Sequence, residues 1–152
     1  MGIPESRYSR ITKKHPREIC LLRSFPCRWG KCTFCDYIED NGRNEDAMTA
    51  LNRQVLGHVT GEFGVLEVIN SGSCFELPEE TVRDILQVIG EKHIGEIFLE
   101  SHWMYRRQVA GMRDRLGIPA VFKVGVETFD NDFRQRVLNK NAGFKEPLQV
   151  AE

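Results

Sequence analysis

No run of apolar residues in this chain approaches the roughly 20 needed to cross a bilayer, so a helical membrane span is excluded. Net charge is nearly absent as well: 21 Lys and Arg against 22 Asp and Glu give −1, which argues against a generic nucleic-acid coat. Met1 to Lys14 is polar and basic with no apolar stretch behind it, so the core of a secretory signal is missing and a cytoplasmic protein is expected. In a reducing cytosol five cysteines, an odd number, do not make a disulfide framework. They read as ligands, nucleophiles or core filler.

The 152 residues, 41% of them apolar, suit one domain that buries roughly two thirds of the surface of its unfolded chain. Charge is spread unevenly. Residues 1–36 carry eight Lys or Arg and three Asp or Glu, a net of +5, and the remainder a net of −6. Arg7, Arg10, Lys13, Lys14 and Arg17, with Tyr8 among them, could meet phosphate, but a solvated face or frayed terminus is the plainer expectation. Residues 1–17 are read as a basic amino-terminal extension.

After residue 17, short β-branched runs alternate with segments of helical period. Strands are expected at Ile19–Phe25, Val65–Asn70, Glu96–Glu100 and Val121–Glu127, and apolar residues on successive positions suit parallel strands covered on both faces. Val82, Ile85, Leu86 and Ile89 form one helical stripe, Tyr105, Val109, Met112 and Leu116 another, and Ala47, Leu51 and Val55 a third over Glu45–Gly57. Asp130 is placed to cap a fourth helix holding Phe133, Val137 and Leu138, and Gly90 and Gly117 are stop signals. Four βα units at about 31 residues each make half of an eight-unit barrel. Right-handed crossovers gather the segments Cys27–Cys35, Ser71–Phe75, Ser101–Trp103 and Glu127–Phe129 at the carboxyl ends of the strands.

Cys27, Cys32 and Cys35 stand as C-x4-C-x2-C directly after the first strand. A structural zinc wants four ligands, usually in two pairs; no second pair exists, although Cys74, His93 or His102 could complete a Cys3His site. Three thiolates in one loop also suit an iron-sulfur cluster with one iron free of protein ligands. Cys20, in mid-strand, is core filler.

In this loop, with Phe34 just before the last cysteine, the sequence resembles the radical S-adenosylmethionine (SAM) superfamily, whose usual spacing is one residue shorter between the first two cysteines; Gly30 can absorb the insertion. The resemblance implies a partial (β/α) barrel over residues 18–152, truncated before its last βα units. It implies a 4Fe-4S cluster on Cys27, Cys32 and Cys35, Phe34 on the adenine of SAM and the backbone at Tyr37 against its edge. Asn70-Ser71-Gly72-Ser73 occupies the place of the family's segment for the SAM amino group, without its acidic residue, so Ser71, Gly72 and Ser73 are candidates. Val124-Gly125-Val126-Glu127, with Val137-Leu138-Asn139-Lys140 beyond, resembles the family's fourth strand and helix, in which Glu127 would contact SAM.

Catalytic residues are not specified by these motifs. His102 could donate a proton, Cys74 could be a thiol at the mouth, Trp103 a stacking platform, and Arg106 or Arg107 a partner for phosphate. The implied activity is reductive cleavage of SAM to methionine and a 5′-deoxyadenosyl radical, fed by a one-electron donor such as flavodoxin or ferredoxin. Phe25-Pro26-Cys27-Arg28-Trp29-Gly30-Lys31-Cys32 is similar to the radical SAM lyases that salvage queuine from queuosine nucleotides, so a modified nucleoside or nucleotide such as queuosine phosphate is the implied substrate. A maturase or a tRNA-modifying enzyme would look alike. The alternative class is a non-catalytic metal-binding module, zinc or iron-sulfur, or an inactive truncated paralogue. A barrel ending after four units also leaves an open edge, for which a homo-oligomer or a missing carboxyl-terminal half is the expected cover.

Overall fold

The computed structural model of the chain describes residues 7–146 and 149. Its sheet runs in the order β1 (Tyr8–Ile11), β2 (Arg17–Leu22), β3 (Val65–Asn70), β4 (Glu96–Ser101), β5 (Ala120–Val124). Strands β2 to β5 are parallel and β1 is antiparallel on the β2 edge. Helices α1 (Glu45–Leu56), α2 (Glu79–Glu91) and α3 (Val109–Leu116) follow β2, β3 and β4. This is the expected partial barrel. No described helix is long and apolar enough to cross a membrane.

Local chemistry sets the helix ends. The Asn44 side chain accepts from the Ala47 amide at 2.9 Å and starts α1, with Glu45 and Asp46 at the positive end of the dipole. Gly117, at φ 67°, ends α3 in a left-handed cap. Gly90 does not stop α2, which runs on to Glu91, because the left-handed residue that breaks it is His93. The stretch expected as one helix from Tyr105 starts as a tight 3-10 segment, Trp103–Gln108, before α3.

The core lies on one face of the sheet. Cys20, Val68, Leu99 and Phe122 are in register across β2 to β5, and Val55, Val82, Ile85, Ile89 and Leu116 of the helices pack on that face. Cys20 is core, as expected, with burial pushing its thiol up to about 12. The strands are not covered on both faces. Along β2 and β4 burial alternates, and the opposite face carries half-buried Ile19 and Phe98 with Val121 39% exposed. Charge sits on that inner wall: Glu67, only 3% exposed, is paired with Arg17 at 2.5 Å and with Lys123. Polar pairs take the place that apolar contacts fill on the helix side.

The basic amino-terminal stretch is built into the fold rather than frayed from residue 8 onward. Tyr8 pairs with Cys20, and its hydroxyl donates to Glu18 at 2.6 Å. Arg10 pairs with Glu62 at 3.0 Å, and Arg7 bridges to Asp40 and donates to the Leu21 carbonyl at 3.2 Å. Three of the five cations offered to phosphate, Arg7, Arg10 and Arg17, are thus engaged inside the molecule, whereas Lys13 and Lys14 stay exposed.

Two buried carboxylates give the fold a pH dependence. Glu18 accepts from Tyr8 and from the Thr60 and Gly61 amides at 2.7 and 2.8 Å. Burial works to raise Glu18 and Glu67, but these donors and the Lys123 and Arg17 cations outweigh it and hold both carboxyls below the usual glutamate range. Depressed values mean that their stabilisation is present above the unfolded pKa of about 4.3 and lost as pH falls through the folded values. The melting temperature should therefore drop steeply below about pH 4, and Glu18→Gln and Glu67→Gln should each flatten that slope in circular-dichroism melts. An unchanged slope in both variants would contradict the assignment.

Candidate active site

The carboxyl ends of the parallel strands enclose a cavity of about 350 Å³. Cys27, Cys32 and Cys35 line one side together with Phe34 and Tyr37, the Asn70–Ser73 turn lines a second, and Gly125, Glu127 and Lys140 a third. His102, Glu100 and Lys123 complete the wall from β4 and β5. The sequence motifs thus converge on one space, with Cys74 and Trp103 outside its lining.

The cysteine loop has little regular structure, so its polar groups depend on neighbours. Gly30 makes its turn at φ 58°. On one side the Arg28 amide donates to Glu76 Oε1 at 2.7 Å. On the other, Trp29 Nε1 donates to the Asn139 carbonyl at 2.5 Å, Thr33 N and Oγ1 donate to the Leu138 and Val137 carbonyls at 3.1 and 2.9 Å, and Asn139 Nδ2 donates to the Lys31 carbonyl at 2.9 Å. The loop is held between two clamps.

The second clamp corrects the expected fourth helix. Asp130 caps it, accepting from the Phe133 amide at 3.0 Å, but the capped segment is a single π-helical turn, Phe133–Val137. Asn139 and Asn141 take left-handed backbone just beyond it. Phe133 and Val137, expected in a fourth helix, are 46% and 51% exposed, whereas Arg134 is fully buried. Its guanidinium donates to the carbonyls of Ala142 at 2.8 Å, Thr128 and Phe144, and to Asn131 Oδ1 at 3.0 Å, and it stacks 3.7 Å from the Phe144 ring centroid. Apolar periodicity cannot reveal a segment organised around a buried cation.

Glu127 also leaves the sheet, since β5 ends at Val124 rather than continuing to Glu127. The Thr128 amide donates to the Val126 carbonyl at 2.7 Å, closing a three-residue turn around Glu127 at φ 62°. A left-handed non-glycine costs about 1–2 kcal/mol, and such strain concentrates at functional sites. Lys140 Nζ, 2.7 Å from Glu127 Oε1, also lies 5.3 Å from the Phe34 ring centroid. Lys140 therefore joins two candidate SAM contacts that the sequence motifs name separately.

At the turn after β3, the Ser71 hydroxyl meets that of Ser24 at 3.1 Å and the Ser73 hydroxyl lies 3.5 Å from that of Ser101, so the turn offers the cavity backbone more than free hydroxyls. Asn70 donates to the Ser73 carbonyl at 2.9 Å, but its Oδ1 is buried without a partner. That orphaned acceptor in the cavity wall fits a ligand bearing N–H donors. Glu76, which the motifs missed, accepts from the Ser73 amide at 2.6 Å and from the Tyr105 hydroxyl at 2.8 Å. The pattern Ser73-x-x-Glu76 carries the signal for it.

His102 lines the cavity with both nitrogens engaged: Nε2 lies 2.7 Å from the Lys140 carbonyl, and Nδ1 accepts from the Met104 amide at 3.1 Å. Burial lowers its pKa, and both ring nitrogens are already taken up by backbone groups. Cys74, expected at the mouth, is 1% exposed in the hydrophobic core, and burial pushes its thiol up to about 12, far from a reactive thiolate. Trp103 packs edge-on against Phe144 at 5.1 Å, and the Arg106 guanidinium lies 4.9 Å from its ring centroid. His93 lies between α2 and β4, at the amino ends of the strands. Cys74 and His93 lie away from the loop, and the ring nitrogens of His102, though at the same cavity, are both taken up by backbone groups.

Among the described residues no three His, Cys, Asp or Glu side chains gather tightly enough to hold a metal ion. A cluster spreads its thiolates over separate irons, so three sulfurs lining one wall suit it where a single tetrahedral ion would need them to converge. Burial raises the Cys27 and Cys32 thiols, while the Gly30 and Trp29 amides act on Cys27, and Lys140 on Cys32, to favour the thiolate. The donor set fits an iron-sulfur cluster.

No protein-family model matches the chain, and no curated protein matches its sequence. A solved structure does: a queuine lyase from Clostridium spiroforme bound to SAM and queuine, 48% identical, with a TM-score of 0.93. The alignment covers 95% of this chain and 63% of that one, so the chain spans less than two thirds of that protein's length.

The clamp built on Arg134 yields a test. Arg134→Met would leave several carbonyls without a donor and should cost about 3–5 kcal/mol of unfolding free energy in urea. A loss under about 1 kcal/mol would mean that the segment holds without its cation.

Proposed function

The resemblance to the radical SAM enzymes holds in fold and in sequence, and on that premise we propose that this chain forms the SAM-cleaving part of a radical SAM lyase acting on a queuine-bearing nucleoside or nucleotide. The observation that carries the reading is the single cavity shared by the three cysteines, Phe34, Tyr37, Ser71, Gly72, Ser73 and Glu127. When bound, a 4Fe-4S cluster with SAM supplies one electron to the sulfonium, giving methionine and a 5′-deoxyadenosyl radical that takes hydrogen from substrate.

Cys27, Cys32 and Cys35 would hold the cluster and leave it a position free of protein ligands for SAM. Phe34 packs on the adenine and the Tyr37 backbone meets its edge. The Ser71–Ser73 turn, with the unpartnered Asn70 Oδ1, accepts from the SAM amino group, and Glu127, kept in place by Lys140, takes a further donor of SAM. A flavodoxin or ferredoxin supplies the electron. The substrate class rests on the likeness to the queuine lyase, because Trp103 and three of the amino-terminal arginines are already engaged within the chain.

Anaerobic reconstitution should give about four iron and four sulfide per chain, and SAM should alter the EPR signal of the reduced cluster. Cys32→Ala should abolish cluster retention while Cys20→Ala keeps it. One zinc, no iron and no response to SAM would instead establish the metal-binding module.

Glu127→Ala should weaken SAM binding about tenfold or more with iron content unchanged, since it removes one charge-assisted contact of about 1.5–3 kcal/mol. Equal affinity and turnover in that variant would remove Glu127 from the site.

A further inference from the structure

Glu76 belongs to none of the motifs above, yet its carboxylate is where three segments of the cavity meet. It is 7% exposed. Oε1 accepts from the Arg28 amide of the cysteine loop at 2.7 Å and from the Tyr105 hydroxyl, beyond β4, at 2.8 Å. Oε2 accepts from the Ser73 amide at 2.6 Å. Its own amide and carbonyl are also engaged, the amide with the Ser73 carbonyl and the carbonyl with the Phe25 amide, both at 2.9 Å. Gly72 lies close beside it, and a Cβ at that position would displace Oε2.

We propose that Glu76 is a positioning residue that couples the cysteine loop to the Ser71–Ser73 turn, so that ordering one orders the other. A carboxylate in this position is acceptor-only, and all three groups around it are donors. A buried charge is stable here only while those donors stay in place. Movement of the cysteine loop withdraws the Arg28 amide and leaves the buried carboxylate short of a donor, so it re-settles on the donors that remain and the Ser73 backbone shifts with it. Loading the loop with its cluster fixes Arg28, hence Glu76, hence the backbone that receives SAM. Such coupling is reciprocal, so a ligand on the turn also steadies the loop.

The proposal rests on the cluster reading above, and amide hydrogen exchange separates the two. Peptides covering residues 27–35 and 71–76 are followed before and after anaerobic iron-sulfur reconstitution, without SAM. Wild-type protein should slow at both segments on loading, at the turn by about tenfold, the size of one charge-assisted hydrogen bond. In Glu76→Gln the loop should slow and the turn should not, because one amide then faces the side-chain NH2. Tyr105→Phe, which keeps both backbone contacts, should preserve the coupling. If Glu76→Gln does not fold, Gly72→Ala displaces Oε2 from Ser73 and should uncouple the segments in the same way. SAM titrated against the EPR signal should bind about tenfold more weakly in the uncoupled variant at equal iron content.

Loosening of both segments by the same factor, loaded or not, would show a merely structural role and overturn the coupling. Wild-type protein that loads iron but slows only at residues 27–35 would overturn the coupling alone. Wild-type protein that takes up no iron would overturn the cluster reading and the coupling with it.

Discussion

The loop that carries the three cysteines has no helix or strand of its own, and the whole site depends on how that loop is held. Backbone groups of Arg28, Lys31 and Thr33 find their partners outside the loop. One set comes from Glu76, just beyond β3, and the other from residues 137–139, more than a hundred positions away in the chain. Each clamp depends on a buried charge with several hydrogen-bond partners, a carboxylate with three in one case and the Arg134 guanidinium with four in the other. Buried charges are costly unless satisfied, so they act as all-or-none fasteners: the surrounding backbone adopts one arrangement or the charge is left exposed to a low dielectric.

Charge also explains the asymmetry of the sheet. On the helix side, Cys20, Val68 and Leu99 meet apolar side chains and need nothing else. On the inner side Glu67 stands between Arg17 and Lys123, and Lys123 lies 3.4 Å from Glu100. Burial raises the Glu100 carboxyl and the neighbouring cation lowers it only in part, so Glu67 and Glu100 sit on opposite sides of the ordinary glutamate range within one wall. Glu67 has two cations close by and is held ionised. Glu100 has one at longer range and faces the cavity. Two carboxylates on one inner wall acquire different properties from their neighbours alone.

Strain and support are paired at Glu127. Its left-handed backbone would be unfavourable in isolation, but the short turn beneath it and Lys140 beside it fix the side chain at the cavity. Lys140 reaches that place because Asn139 and Asn141, residues tolerant of left-handed backbone, bend the chain after the π-helical turn. The same bend brings the Lys140 carbonyl to His102. Both ring nitrogens of His102 are then engaged by backbone groups at the cavity wall.

The order of the four parallel strands and the first three helices, the cysteine spacing and the gathering of Ser71–Ser73 and Glu127 at one end of the sheet were legible in the residues themselves, whereas the antiparallel strand Tyr8–Ile11 was not. Those features rest on local periodicity, turn chemistry and the handedness of parallel crossovers. The sequence by itself also determined that Cys20 is core, because mid-strand placement leaves a thiol no other role. What only the tertiary structure decided concerns contacts between distant segments. The residues themselves place Phe133 and Val137 in a fourth helix, but the four acceptors gathered around Arg134 draw the cation inward and turn those apolar residues out. Cys74 looks like a mouth thiol until the turn carries it into the core, and Arg7 and Arg10 look like a solvated tail until Asp40 and Glu62 are found opposite them. A charged residue declares its type in sequence, whereas its partner is set by whichever segment the fold places within hydrogen-bond reach.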